Sequence, residues 1–383
     1  MSKVRLGVIG TGNMGTAHVK SIQNGKISGV DLVAVCDIDP KAMKKIDDVE
    51  KFESSEELIR SGRLDAVLIA TPHFSHTTIG IDALNNNLHV LVEKPIAVHK
   101  KDCEKLIAAH KDKDLIFAAM FNQRTDPYFK KIKHLIDRGD LGEITRINWI
   151  VTDWFRTQAY YNSGSWRATW EGEGGGVLLN QCPHQLDLYQ WFFGMPDKVR
   201  AFCGIGKKHD IEVEDEVTAY MQYKNGATGV FITTTGEAPG TNRLEITGEN
   251  GKLVFENNKI LFTKNEISMT EFNKTTDKGF GTPEIWNVEI PVNGTNGQHV
   301  EIIQNFVDAI ADGKELIAPA EEGIKSVELG NAMLFSSMND MTVEMPLDSD
   351  AYADILQSLI DNSTFEKKTD NAVKTDFTKS FTN

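Results

Sequence analysis

The sequence predicts two domains: an α/β domain on a doubly wound parallel sheet of the Rossmann type, then an α+β domain on a largely antiparallel open sheet flanked by helices. The chain has 383 residues, more than a single core usually holds. Up to about residue 125, apolar runs of strand length alternate with helical stretches, which is typical of parallel sheets. After residue 142, alternating stretches are separated by turn residues, which favours hairpins. We therefore expect domains at 1–125 and 126–383, with a polar tail from about 363.

The first strand leads into a glycine-rich turn. Val4–Ile9 is an apolar strand, and a helix is expected over residues 16–24. The turn between them reads Gly10-Thr11-Gly12-Asn13-Met14-Gly15. Gly10 permits the tight turn, Gly12 lets the backbone approach a pyrophosphate, and Gly15 lets the helix pack on the strand. The helix N-terminus would face the anion. The motif predicts a dinucleotide site, and a glycine turn in another α/β protein stays the alternative.

An acidic residue ends the second strand. Residues 32–36 form an apolar run that ends at Asp37, about 20 residues after Gly15. A carboxylate there hydrogen-bonds the ribose 2′-hydroxyl of a dinucleotide and repels a 2′-phosphate. Ile38 follows it, and no arginine or lysine stands beside it to hold a phosphate. The sequence therefore predicts NAD as the cofactor, in preference to NADP.

Polar residues also follow the later strands of this sheet. We expect them at the same edge as Gly10, because parallel strands end on one side of a sheet and ligands bind there. Ser75 is expected to cap the helix that follows the strand at 65–70. The candidates to bind the cofactor, besides the glycine turn and Asp37, are Thr71, Pro72, His73, His76, Glu93, Lys94 and Gln123. Arg124 is a candidate substrate contact. A plain loop role for His73 and a solvated turn at Glu93-Lys94 stay open.

The second domain begins with a loop that is rich in aromatic residues and arginines. It contains Trp154, Phe155, Tyr160, Tyr161, Trp166 and Trp170, with Arg156 and Arg167 among them. Sites for sugars and cyclitols use aromatic rings to cover C–H faces and arginine to hold hydroxyl groups. Trp166 and Arg167 are therefore candidate substrate contacts. A loop packed beneath its own aromatic rings is the alternative.

Three glycines, Gly174-Gly175-Gly176, precede a helix expected over residues 177–193. Such glycines allow the backbone to approach a flat ligand closely. Asn180, His184 and Asp187 are spaced i, i+4 and i+7, which places them on one helical face. Pro183 predicts a kink or a later start of the helix. A structural histidine is the alternative to a functional one at position 184.

Composition excludes several classes of function. The formal charge is -14, and no basic patch could follow a phosphate backbone, so we expect no nucleic-acid partner. No apolar run is long enough to span a membrane, and we expect no signal peptide. The four cysteines are scattered, which favours reduced thiols in the cytoplasm and no metal site.

The glycine turn, Glu93-Lys94-Pro95 and the stretch from Gly174 to Asp187 together resemble the Gfo/Idh/MocA family, which includes glucose–fructose oxidoreductase and inositol dehydrogenase. The resemblance extends to about residue 345. It implies that Lys94 contacts the nicotinamide ribose and the substrate hydroxyl, and that His184 is the general base. Asn180 departs from the family pattern, in which many dehydrogenases carry aspartate there. The stretch around Trp166, Arg167 and His184 resembles a subgroup that acts on cyclitols, glycosides and anhydrosugars, such as levoglucosan dehydrogenase.

The resemblance implies an NAD-dependent dehydrogenase that oxidises a secondary hydroxyl of a sugar, anhydrosugar, glycoside or inositol-like cyclitol. Lys94, His184 and Asn180 are its candidate catalytic residues; Lys94, Arg124, Trp166, Arg167, Asn180 and His184 are its candidate substrate contacts. One alternative is an NAD-dependent glycosidase or lyase that oxidises C3 transiently. Another is a non-catalytic NAD-binding sensor, which would need neither Lys94 nor His184. A homodimer or homotetramer through the second sheet is expected.

Overall fold

The computed structural model describes residues 3–369 and contains one parallel and one mixed sheet. The first domain forms the parallel sheet, in the strand order β3-β2-β1-β4-β5-β6. Its elements are β1 (Val4–Ile9), α1 (Asn13–Gln23), β2 (Val30–Cys36), β3 (Glu50–Phe52), α2 (Ser55–Ile59), β4 (Ala66–Ile69), α3 (His73–Asn85), β5 (His89–Val92), α4 (Lys100–Ala109) and β6 (Phe117–Ala119). The order reverses between β1 and β4, where doubly wound sheets place their ligands. The prediction of a Rossmann sheet is confirmed.

The central strands carry continuous apolar runs because both of their faces are covered. Every residue of β4 is buried, and so are Val90, Leu91 and Val92 in β5. Parallel sheets show this pattern, since helices pack on both sides. The short elements β3 and α2 were not predicted. A strand of three residues with the sequence Glu-Lys-Phe carries no apolar period.

The second domain is built on a nine-stranded sheet in the order β14-β13-β12-β11-β7-β10-β9-β8-β15. Its elements are α5 (Pro127–Asp137), β7 (Ile144–Val151), α6 (Gln158–Asn162), α7 (Pro183–Phe193), β8 (Lys198–Ile205), β9 (Glu214–Gln222), β10 (Thr228–Thr234), β11 (Asn242–Gly248), β12 (Gly251–Glu256), β13 (Lys259–Asn265), α8 (Met269–Thr275), β14 (Ile285–Ile290), α9 (Gln298–Asp312), α10 (Gly323–Met338), β15 (Val343–Glu344) and α11 (Ser349–Asp361). Only β7 and β10 pair in parallel among these strands of residues 3–369. The largely antiparallel sheet is therefore confirmed.

One face of this sheet packs on α7 and α10, and no helix of residues 3–369 covers the other, which we call the open face. Val217, Ala219 and Met221 of β9 are buried on the covered face. Tyr220 is exposed and lies opposite Val230 of β10 on the open face. The open face thus carries apolar side chains on adjacent strands.

The helix α9 crosses the expected division of the chain. Ile302, Ile303, Phe306 and Val307 pack into the core of the parallel sheet, although they come late in the sequence. The division at residue 125 stays a prediction, and the core of the first domain includes this returning helix. Of the expected tail, residues 370–383 lie outside the described part of the chain. In residues 3–369, no helix combines the length and apolar character needed to cross a membrane.

Candidate functional site

The glycine turn after β1 has the shape that a dinucleotide needs. Gly10 has a φ of +89°, a region that glycine enters without strain. A Cβ atom on Gly15 would lie 1.8 Å from the Gly10 carbonyl oxygen, so this position tolerates no side chain. A Cβ on Gly12 would meet no atom within 4 Å, so the backbone there faces open space. Gly12 provides no side-chain cap for α1, and Asn13 and Met14 form its first turn. These residues fit a pyrophosphate on the helix N-terminus.

Asp37 lies beside this turn, at the end of β2. Its Oδ2 accepts hydrogen bonds from the backbone N–H of Thr11 at 2.7 Å and from the Thr11 hydroxyl at 3.0 Å. Its Oδ1 accepts the N–H of Asp39 at 3.0 Å. These bonds fix the carboxylate where the ribose end of a dinucleotide would lie, and its remaining lone pairs can accept hydrogen bonds from ribose hydroxyl groups. The expected selectivity for NAD stays a prediction.

The rings of His73 and His76, predicted to bind the cofactor, lie against backbone carbonyl groups of the protein. The helix α3 begins at His73 with Pro72 as its N-cap, so the prediction that Ser75 caps it was wrong. Both ring nitrogens of His76 lie 2.8 Å from backbone carbonyls, those of Pro95 and Thr71. His76 therefore joins the ends of two strands and has no nitrogen left for a cofactor. His73 lies 3.4 Å from the Glu173 carbonyl oxygen, which connects it to the second domain.

Glu93 is a buried carboxylate behind Lys94. Its Oε1 lies 2.7 Å from His18 Nε2, and its Oε2 accepts the Lys94 backbone N–H at 3.2 Å. Burial opposes ionisation, but the hydrogen bond from His18 and nearby cationic groups outweigh it and lower the pKa of Glu93 to about 2. The His18 ring is 5.5 Å from that of His299 on α9. Both carboxylate oxygens are thus used in holding the strand end, and a cofactor contact by Glu93 stays a prediction.

Lys94 reaches from the first domain into the second. Its Nζ donates a hydrogen bond of 2.9 Å to the backbone carbonyl of Asn180. Burial lowers the pKa of Lys94, and the Glu93 carboxylate partly counters that effect. An ammonium has three N–H donors, and the bond to the Asn180 carbonyl is the one hydrogen bond described for Lys94 Nζ in residues 3–369. Two donors therefore remain for ligands.

Asn180 lies before α7 and not on it. The helix starts at Pro183, because proline suits the first turn and disrupts the interior. The expectation that Asn180 shares a helical face with His184 was therefore wrong, and of the two outcomes predicted for Pro183 the later start is correct. The Asn180 side chain donates to the carboxylate of Glu173, which is buried. Burial raises the pKa of Glu173.

His184 lies in the first turn of α7. Its Nδ1 is buried and has no hydrogen-bond partner among the described residues. Burial and the nearby Lys94 ammonium lower the pKa of His184 well below its ordinary value, so the imidazole is neutral at pH 7. A neutral imidazole has one nitrogen that can accept a proton. Lys94 thus bonds the Asn180 carbonyl and lies close enough to His184 to lower its pKa, although it was predicted from a different stretch of the sequence.

The three glycines before α7 approach protein atoms and not a ligand, which corrects the expectation from the sequence. A Cβ on Gly174 would lie 2.1 Å from the Val98 side chain, and one on Gly176 would lie 2.0 Å from the Glu214 carbonyl oxygen. The buried Glu214 carboxylate accepts the N–H groups of Gly176 and Leu178 at 2.8 and 3.0 Å. Burial raises the pKa of Glu214 to about 7.

Two aromatic rings of the loop, those of Tyr160 and Trp166, pack against the guanidinium of Arg167. The Arg167 guanidinium lies 4.5 Å from the ring centre of Tyr160 and 4.6 Å from that of Trp166. Its Nη1 donates to the Tyr160 hydroxyl at 2.7 Å and lies 3.8 Å from Glu173. The Trp166 ring also contacts that of His73, at 6.2 Å. Substrate contact by Trp166 and Arg167 stays a prediction.

Arg124 does not face an open site. Its Nε and Nη2 donate to the Asp187 carboxylate at 2.8 and 2.6 Å, and its Nη1 lies 2.7 Å from Glu322. The side chains of Arg124 and Asp187 are each 1% exposed. The guanidinium is occupied on every side, which argues against the predicted substrate contact. No described hydrogen bond involves the side chain of Gln123, and its cofactor role stays a prediction.

Two models of one family match the sequence. The model described as an oxidoreductase family with an NAD-binding Rossmann fold matches residues 4–121, and the model of the GFO/IDH/MocA C-terminal domain matches residues 129–254. Together they span more than half of the chain. The chain belongs to the GFO/IDH/MocA family. The expectations of this family, of NAD and of an NAD-dependent dehydrogenase are thereby confirmed.

Known members of the GFO/IDH/MocA family resemble the chain at modest identity. It is 27% identical over 262 residues to a myo-inositol 2-dehydrogenase of Thermotoga maritima, with 65% of this chain and 74% of the relative covered. It is 25% identical to the levoglucosan dehydrogenase of Pseudarthrobacter phenanthrenivorans, with 90% and 99% covered. The solved structure of the WlbA dehydrogenase from Bordetella pertussis with NADH and UDP-GlcNAcA has a TM-score of 0.75 and 25% identity, with 90% and 100% covered.

Several residues of this GFO/IDH/MocA site were not predicted. Glu173 bonds Asn180, His18 bonds Glu93, and Tyr160 bonds Arg167. His18 lies three residues after Gly15, on the helix that must start at the cofactor, and that position was a usable signal. Glu173 is one acid among many in the sequence, and nothing local marks it as buried.

Proposed function

We propose that the chain oxidises a secondary hydroxyl of a sugar, anhydrosugar, glycoside or inositol-like cyclitol. The observation that supports this most directly is the meeting of Lys94, on the cofactor domain, with the Asn180–His184 turn of the second domain. The names of the relatives, which include inositol and levoglucosan dehydrogenases, point to the same class of substrate. The aromatic rings and Arg167 nearby suit a ligand with C–H faces and many hydroxyl groups.

In the proposed reaction, His184 and Lys94 have different roles in proton transfer. His184, kept neutral by burial, accepts the proton of the reacting hydroxyl. The Lys94 ammonium, held by the Asn180 carbonyl, donates to the oxygen as negative charge develops on it. NAD, which the glycine turn and Asp37 would hold, would supply the acceptor for the hydride. Glu93 and Glu173 hold Lys94 and Asn180 in place from either side.

The lowered pKa values of His184 and Lys94 predict how kcat/KM depends on pH. As the pH falls through the pKa of His184, the base is protonated and lost, so the acid limb of kcat/KM should lie well below 6.5. As the pH rises through the pKa of Lys94, the ammonium is lost, so the alkaline limb should lie below 10.5. An acid limb at or above 6.5 would contradict a buried neutral His184.

A panel of cyclitols, anhydrosugars and glycosides with NAD, followed by absorbance of the reduced nicotinamide, tests the proposal. Lys94→Ala and His184→Ala should each lower turnover by about 10²–10⁴ while NAD still binds. Lys26→Ala and His134→Ala, at exposed positions, are the matched controls. Near-normal turnover in either site variant would remove that residue from the mechanism. No turnover across a broad panel, with NAD bound, would contradict the proposal.

Two other functions remain testable with the same panel. Release of an aglycone without net formation of NADH would identify an NAD-dependent glycosidase or lyase. Binding of NAD with neither outcome would favour a sensor, although a sensor has no need of the Lys94–His184 arrangement. The cytoplasm stays the proposed compartment.

The open face of the second sheet supports a proposed dimer or tetramer. Phe202 is 64% and Leu261 47% exposed there, and both lie on strands of the same sheet. Soluble chains rarely leave a large apolar patch uncovered, and two such faces packed together would form a symmetric interface. The interface would leave the glycine turn and His184 outside it.

A further inference from the structure

After α11, the chain returns across the aromatic loop of the second domain. The Ser363 hydroxyl donates to Glu212, whose other oxygen accepts the backbone N–H of Trp170 at 3.0 Å. Lys367 Nζ donates to the backbone carbonyl of Tyr161 at 2.8 Å, and Lys368 Nζ donates to Asp210 at 2.7 Å. We call residues 363–369 the closing segment. It is held by contacts at both of its ends.

Within the closing segment, Lys367 is directed inward. Lys367 is half-buried, whereas the preceding Glu366 and the following Lys368 are exposed. Its ammonium interacts electrostatically with Glu173 and Arg167, and burial lowers its pKa. Glu173 in turn holds Asn180, which accepts the hydrogen bond of Lys94. Lys367 is therefore connected to the reacting end of the site through one buried carboxylate.

The donors of Lys367 are only partly used. An ammonium has three N–H donors, and the bond to Tyr161 is the one hydrogen bond described for it within residues 3–369. A surface lysine gains little from being held in one place, because its head prefers water. A half-buried ammonium that interacts with Glu173 and Arg167 suits instead an oxygen-rich ligand that replaces the lost water.

We propose that the closing segment forms the outer wall of the substrate pocket and that Lys367 donates to the part of the sugar remote from the oxidised carbon. Lys367 is then a residue that determines specificity. This inference rests on the proposed function, since it assumes a polyhydroxylated substrate at Lys94 and His184. It assigns the remote oxygens of that substrate to a residue from the C-terminal end of the chain.

The test compares Lys367→Met, which keeps the aliphatic stem, with Lys26→Met, at an exposed position of the first domain, as the matched control. Lys367→Met should raise KM for the sugar by about tenfold with kcat and KM for NAD within about twofold, because a contact equal in ground and transition states is lost. Lys26→Met should leave all three unchanged, and Lys367→Arg should recover part of the affinity. An unchanged KM in Lys367→Met, or equal increases in both methionine variants, would overturn the proposal.

Calorimetric titration of the sugar panel into the enzyme–NADH complex separates this inference from the proposed function. Wild-type protein that neither binds nor oxidises any sugar would contradict the proposed function itself. Wild-type protein that binds a sugar with the same affinity as Lys367→Met would contradict only the role of Lys367. Thermal unfolding of each variant shows whether the fold is retained. If Lys367→Met unfolds, Lys367→Arg decides, since wild-type affinity in it would exclude a contact that depends on ammonium geometry.

Discussion

The buried pair Arg124–Asp187 should stabilise the protein rather than bind substrate. Two charge-assisted hydrogen bonds of 2.6 and 2.8 Å join side chains that are each 1% exposed. Burial opposes the charge on Arg124, but Asp187 and Glu322 raise the pKa of the guanidinium, so it stays protonated. Asp187→Asn therefore leaves a buried cation with only Glu322, which is 36% exposed, as its carboxylate partner. Breaking one side of such a pair costs about 3–5 kcal/mol of unfolding free energy.

Urea unfolding followed by tryptophan fluorescence measures this cost. Arg124→Met should lower the unfolding free energy by a similar amount, and Arg124→Met with Asp187→Leu should recover much of the loss, because no charge then remains buried. Glu344→Gln is the control: its pair with Lys198 is exposed, so the change should stay below about 1 kcal/mol. The reasoning is refuted if Arg124→Met raises KM for the sugar at least tenfold while the unfolding free energy stays within 1 kcal/mol of wild type.

Three further outcomes are expected. Asp37→Ser with Ile38→Arg should narrow or invert the ratio of kcat/KM for NAD over NADP, and a wild-type protein that used both equally would contradict the role of Asp37. Asn180→Asp should move the acid limb of kcat/KM to higher pH, because a nearby carboxylate stabilises the His184 imidazolium; an unchanged limb would separate the two residues. Ile232→Lys on the open sheet face should shift the mass from light scattering toward 42.6 kDa, and wild-type protein already at that mass would exclude the proposed interface.

The first domain could be predicted in detail because its signals are local. The strand, glycine turn and helix at residues 4–23 follow one another directly, and the steric reasons for Gly10 and Gly15 hold in the structure. Apolar runs bounded by turn residues located every strand of four or more residues in that sheet. Strand β3 was missed because pairing with β2, and not its own pattern, makes it a strand.

The part of the site in the second domain depends on contacts between residues that are far apart in the sequence. Local spacing of residues does not predict such contacts. Asn180 and His184 are four residues apart, as on a helix, but Pro183 between them permitted either a kinked helix or a helix that starts later. Only packing in the folded protein selects the later start. The three glycines indicated close approach, while the approaching atoms belong to Val98 and Glu214. Arg124 follows a strand end and was therefore predicted to contact substrate, but its ion-pair partner Asp187 lies 63 residues later in the sequence.

The Arg124–Asp187 ion pair joins the two domains, so it should also affect the rate of the proposed oxidation. Lys94 follows β5 of the first domain, whereas His184 begins α7 of the second, so their separation depends on how the two domains are held. Asp187 lies one turn after His184 on α7, and its partner Arg124 lies in the short 3-10 helix Asn122–Thr125 that follows β6 of the first domain. The ion pair therefore fixes the same helix that carries the proposed base. Loss of alignment between two reacting groups lowers the rate of the chemical step more than it weakens binding. In any folded variant of this pair, the defect should appear in kcat, with KM for the sugar changed little.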